Sequence, residues 1–99
     1  LAGGQTRMFT IAGRCGIPET AKAVVLNVTA TGATASGHLR LYSADDPLPV
    51  ASSINFSAGK TRANNAIVPL GAGGALAVFS GQSSGGAVDV ILDVSGYFE

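Results

Sequence analysis

Residues 87–94 alternate so strictly that they favour a single backbone conformation. Val88, Val90, Leu92 and Val94 fall on one face, and Asp89, Ile91 and Asp93 on the other. A side-chain period of two is that of an extended strand with one buried face. The pattern recurs along the chain. Residues 22–29 put Val24, Leu26 and Val28 on one face and Val25, Asn27 and Thr29 on the other; residues 38–43 set Leu39 and Leu41 inward, with His38, Arg40 and Tyr42 sharing the opposite face. Residues 75–80 face Leu76 and Val78 one way and Phe79 the other. Residues 5–11 are rich in strand formers, residues 52–57 contribute Ile54 and Phe56, and residues 63–70 supply Ile67 and Val68 before a stop at Pro69 or Gly71. That makes seven candidate strands. Turn signals separate them: Gly16-Ile17-Pro18, Asp45-Asp46-Pro47, Gly71-Ala72-Gly73-Gly74 and Ser83-Ser84-Gly85-Gly86. Pro18 and the β-branched run behind it limit any helix at residues 17–23 to a turn. The expected fold is all-β: an Ig-like or jelly-roll-type sandwich of about seven antiparallel strands, forming one domain over residues 1–99, with a small barrel as the less favoured arrangement.

Composition removes several classes of function. The chain has 99 residues, 46% hydrophobic and 12% charged, with six basic residues against six acidic ones. A neutral balance leaves no basic surface for phosphates, so nucleic acid is not an expected partner. The hydrophobic content is too high for a disordered tail. No run of eighteen apolar residues and no charged-then-apolar leader occurs, so neither a membrane span nor a signal peptide is read. The opening at Leu1 rather than Met points to a processed or excised piece. A surface so poor in charge repels its neighbours weakly. It suits packing against copies of the same chain or against carbohydrate, and equally a domain taken from a larger secreted chain.

One cysteine, Cys15, permits no intrachain bridge. It reads as a small buried hydrophobe, with an intermolecular disulfide or pairing to a cysteine outside this sequence as alternatives. His38 is the sole histidine, and nothing in the sequence places it beside Cys15 as a catalytic base.

Parts of the sequence echo one another. Gly4-Gln5-Thr6-Arg7 recurs as Gly59-Lys60-Thr61-Arg62, the 37–43 segment as the 74–80 segment, and Val25-Leu26-Asn27-Val28-Thr29 as Ile91-Leu92-Asp93-Val94-Ser95. Two related halves would explain this, with Asn27 and Asp93 as equivalent polar positions bonding backbone at a strand end. Chance likeness among valine-rich strands is the competing explanation.

Several of these segments together carry a resemblance: Gly4-Gln5-Thr6-Arg7, Ala12-Gly13-Arg14-Cys15-Gly16-Ile17-Pro18, Leu26-Asn27-Val28-Thr29, Gly37-His38-Leu39, Ile54-Asn55-Phe56, Thr61-Arg62-Ala63-Asn64-Asn65-Ala66 and Asp93-Val94-Ser95-Gly96-Tyr97-Phe98. Over its whole length the chain resembles a β-sandwich domain that recurs in large secreted and surface proteins of soil and other environmental bacteria. Members of that family usually open with a segment carrying Arg-Val-x-Asp-Thr-Arg, which this chain lacks. The resemblance implies an exported, non-catalytic domain found beside other domains or in repeated copies. If the opening segment normally supplies a strand, a sheet edge is left unpaired here, ready for β-augmentation or for assembly of copies into a fibre or layer.

Candidate chemistry is sparse. Asp89 and Asp93 lie four apart on one strand face, about 13 Å at ~3.3 Å per residue, too far for a glycosidase pair. Asp45-Asp46 alone lacks the ligands calcium needs. The 71–74 loop has no Lys-Ser/Thr and no helix behind it, so it is no phosphate cradle, and Ser80-Gly81-Gln82-Ser83 is no nucleophile elbow. Asn64-Asn65 reads as a bulge or bend. No catalytic, metal or cofactor site is expected. The candidate interaction residues are His38, Arg40, Tyr42, Tyr97 and Phe98. The expected role is a structural module of an extracellular or cell-surface assembly, whose partners are copies of itself or neighbouring domains. The alternative is an adhesion or carbohydrate-binding module reading sugar through the His38–Arg40–Tyr42 row.

Overall fold

Alternation resolves into strands at every place it occurs. The computed structural model describes residues 1–14, 16–48, 53–71, 73–82 and 85–99. Among these the elements are β1 (Thr6–Thr10), β2 (Ala23–Thr31), β3 (Gly37–Ser43), β4 (Ile54–Phe56), β5 (Arg62–Pro69), β6 (Ala75–Gln82) and β7 (Asp89–Phe98), with no helix. Every pairing is antiparallel, in two sheets ordered β1-β6-β3-β4 and β5-β2-β7. The chain is thus an all-β sandwich of four strands over three. The reading of Cys15, the start of the fourth strand at residue 52 and parts of the turns at 71–74 and 83–86 lie outside the described residues.

The core is the set that alternation turns inward. Val24, Leu26, Val28 and Ala30 of β2 face Leu39 and Leu41 of β3 and Leu76 and Val78 of β6, with Ile54, Phe56 and Val68 closing one flank. Fully burying one such side chain contributes about 1.5–3 kcal/mol. β2 occupies the centre of its sheet and shows the cleanest alternation of buried and half-buried residues.

The structure corrects three local readings. The last strand does not stop at Val94. It runs to Phe98 across a bulge, because Leu26 pairs with Val94 and Val25 with Gly96, leaving Ser95 as the extra residue. No bulge occurs at Asn64-Asn65, which pair regularly with Val28 and Asn27; Asn64 Nδ2 instead donates to the Ser53 carbonyl at 3.1 Å, and its Oδ1 accepts from the Asn65 N–H at 3.0 Å. Asn27 and Asp93 do not sit at strand ends. They are cross-strand partners in the middle of β2 and β7. Two of the three echoed pairs are therefore neighbours in space, since β2 pairs with β7 and β3 with β6, whereas the 4–7 and 59–62 segments lead into β1 and β5 on different sheets.

Candidate functional site

The two flanks of the sandwich differ. On one, β5 packs against β3 and β4. There Ile54, Phe56 and Val68 are all buried. On the other, β1 edges the four-stranded sheet and β7 edges the three-stranded one. Between β1 and β7 the core is incompletely covered. Phe9, Ile11, Ile17, Val90, Leu92 and Val94 pack on the core yet stay only partly buried. The opening is a groove of about 250 Å³ lined by Thr10, Ile11, Arg14, Ile17, Leu92, Asp93 and Val94.

An open sheet edge presents unpaired backbone donors and acceptors, and proteins normally blunt it. Among the described residues three of the four edges carry such devices along the paired stretch, and the fourth, β7, has only the bulge at Ser95 toward its end. β4 has only three residues. β5 has Arg62 at one end and Pro69, which has no N–H, at the other. β1 pairs Arg7 with Val78 and Phe9 with Leu76, so Arg7 points to the core side of its sheet, an inward charge at an edge. β7 is ten residues long and turns Val90, Leu92 and Val94 inward with no charge among them.

The pairing of Leu1 settles which backbone groups β7 presents. The Leu1 nitrogen donates to the Val88 carbonyl at 2.8 Å, and the Val88 N–H donates to the Leu1 carbonyl at 2.9 Å. Val88 therefore turns its N–H and C=O away from β2. Because these groups alternate along an antiparallel strand, those of Val90, Leu92 and Val94 point the same way, into the open flank. Those of Asp89, Ile91 and Asp93 bond to Thr31, Thr29 and Asn27 on β2.

The expected interaction residues do not share one surface. His38, Arg40 and Tyr42 lie on the outer face of the four-stranded sheet, where His38 pairs with Gly81, Arg40 with Phe79 and Tyr42 with Ala77. The Arg40 guanidinium sits 5.7 Å from the Phe79 ring centroid, and its Nε donates to His38 Nε2 at 3.2 Å. The His38 ring is 6.4 Å from Phe79 and occupies the space a side chain on Gly81 would need. This cluster is a mutually packed cation and aromatic group. Tyr97 and Phe98 lie at the far end of β7, on the other sheet, 43% and 53% exposed. Phe98 pairs with Ala23, which pairs with Pro69, while Ile67 pairs with Val25. That end of the outer face is apolar and bordered by the polar row Asn65, Asn27, Asp93.

Among the described residues no three His, Cys, Asp or Glu side chains gather in a group that could hold a metal ion, and no helix is long and apolar enough to cross a membrane. Asp45 packs against Gly71, and Asp89 against Gly32. The open edge and groove went unpredicted in position; the inward Arg7 and the Ser95-Gly96 break in alternation were the signals available for them. No protein-family model matches the chain, and the search of curated proteins finds no match.

Proposed function

We propose that this chain is a non-catalytic structural module of an extracellular or cell-surface assembly, joined to other polypeptide chains by strand addition along β7. The observation that carries this reading is the long β7 edge, where the N–H and C=O groups of Val90, Leu92 and Val94 turn away from β2, beside a groove of about 250 Å³ that Leu92 and Val94 help to line. An incoming strand gains main-chain hydrogen bonds for affinity and apolar contacts for specificity. The resemblance to domains of large secreted bacterial proteins supports the extracellular setting, and the low charge supports close packing with neighbours.

The carbohydrate alternative is less well served, since Arg40 and His38 of the row are packed on one another and on Phe79. One experiment separates the two. The immobilised domain is offered to a displayed library of random peptides and, separately, to a glycan array. Peptides enriched on the native domain and lost on Leu92→Pro support strand addition, because Leu92 points its N–H away from β2 and proline there leaves the β2 ladder intact. Glycan retention abolished by Tyr42→Ala, with no peptide enriched, overturns it.

A further inference from the structure

We infer that copies of this chain stack face to face, the outer face of the three-stranded sheet of one copy lying on the outer face of the four-stranded sheet of the next. This contact is separate from strand addition and does not use the β7 backbone groups.

The placement of charge marks both faces. Of the six basic and six acidic side chains, only Arg40, Asp89 and Asp93 take outward positions on the described strands. Arg7 and Arg62 share the sides of their buried partners Val78 and Ala30, and the others lie outside the strands. A sandwich face that meets water normally turns polar residues outward. Here Met8 is 57% exposed on the four-stranded face, while Ile67 is 65% exposed on the three-stranded face, which it shares with exposed Ile91 and Phe98. Large apolar side chains on a face this poor in charge mark a contact surface.

The signs of the three outward charges select the occupant. Among the described strand residues, the four-stranded face carries Arg40 and no carboxylate, and the three-stranded face carries Asp89 and Asp93 and no Lys or Arg. Two like faces would set charge against like charge. A second copy supplies the complement of either face, pairing guanidinium with carboxylate. Arg40 is already held for that role. Its guanidinium rests 5.7 Å from the Phe79 ring centroid and its Nε donates to His38, so little side-chain freedom is lost on contact.

One docking satisfies the charges and the apolar residues together. Met8 pairs with Ala77, which pairs with Tyr42, two residues from Arg40. Ile67 lies two residues from Asn65, which pairs with Asn27, which pairs with Asp93. Each step is two strands across and two residues along, about 12 Å at ~4.8 Å between strands and ~3.3 Å per residue. A copy turned so that Arg40 meets Asp93 therefore lays Met8 on Ile67. Each copy keeps one face of each kind for a further neighbour, so the contact repeats as a row. Three strands of this length offer about 400 Å² per partner, roughly half of a standard interface. Separate copies thus associate weakly, and copies held close together associate far more.

The test is NMR of the isotope-labelled whole chain, with amide shifts followed as the protein is concentrated into the millimolar range. Expected are concentration-dependent shifts on both faces, at Arg40 and Tyr42 of one and at Asn27 and Ile67 of the other. Arg40→Glu and Asp93→Lys are each expected to weaken self-association about fivefold, since reversal turns attraction at an exposed pair into repulsion. Adding unlabelled Asp93→Lys chain to labelled Arg40→Glu chain is expected to restore the shifts at Asn27 and Ile67, because an intact Arg40 then meets an intact Asp93. Absence of shifts on either face at millimolar concentration overturns the inference. Shifts confined to one face also overturn it, in favour of like faces pairing, as do shifts confined to Val90, Leu92 and Val94, in favour of β7 edges pairing. Failure to restore the Asn27 and Ile67 shifts on mixing counts against it equally. None of these outcomes bears on peptide capture along β7, which is read separately.

Discussion

Two glycines on neighbouring strands of the four-stranded sheet do different work, Gly37 opposite Gln82 and Gly81 opposite His38. A Cβ on Gly37 would stand 2.5 Å from the Gly81 carbonyl oxygen, whereas a Cβ on Gly81 would run into the His38 ring. Backbone oxygen held in a ladder cannot retreat, but an imidazole can rotate away and forfeit its contacts with Arg40 and Phe79. Gly37→Ala is therefore expected to cost about 2–3 kcal/mol and Gly81→Ala about 1 kcal/mol, within the range for overpacking. His38→Ala should relieve the Gly81→Ala defect and leave the Gly37→Ala defect in place. Urea denaturation of the single and double variants checks this, and equal rescue of both would refute it. A second residue-scale point concerns Gln82. Its Oε1 accepts from the fully buried Ser80 hydroxyl at 2.8 Å, while its Nε2 donates to the Ala35 and Ala87 carbonyls at 3.0 and 3.1 Å. Gln82→Met keeps the length and removes all three bonds, so a loss of about 1–3 kcal/mol is expected by the same denaturation measurement.

At the scale of elements, alternation made seven strands legible, because each has one face on the core and period two reports faces directly. It could not report neighbours. Val90 and Val24 look alike to a periodicity argument, yet Val24 sits on a central strand with no exposure and Val90 on an open edge. Only the pairing order, which depends on contacts distant in sequence, separates them. The extension of β7 to Phe98 was hidden for another reason. Ser95 is the extra residue of a bulge and Gly96 has no side chain, so the alternation lapses where the strand continues. Tyr97 and Phe98 consequently read as an apolar tail, and their placement on the opposite sheet from His38, Arg40 and Tyr42 was not visible. The bulge also gives a prediction at this scale. Deleting Ser95 restores strict alternation from Val88 through Phe98 and removes the mismatch that opposes pairing of β7 with its own counterpart. The deletion variant is expected to sediment as a larger species than the native chain at equal concentration, and identical sedimentation of both would count against that role for the bulge.

For the molecule as a whole, the difference between its flanks should appear as a difference in what equal substitutions cost. Phe56 is 5% exposed on the flank that β5 closes, while Phe9 is only partly buried at the opening between β1 and β7. Each ring belongs to a strand at the edge of the same sheet, so backbone pairing differs little between the two sites. Hydrophobic stabilisation scales with apolar area removed from water, about 25 cal/mol per Å², and a cavity adds to the loss only where the surroundings cannot close over it. Phe56→Leu is then expected to cost about 1–2 kcal/mol, and Phe9→Leu half of that or less, since solvent already reaches the site. Urea denaturation at a shared m-value measures both. Equal costs at the two sites would refute the difference between the flanks.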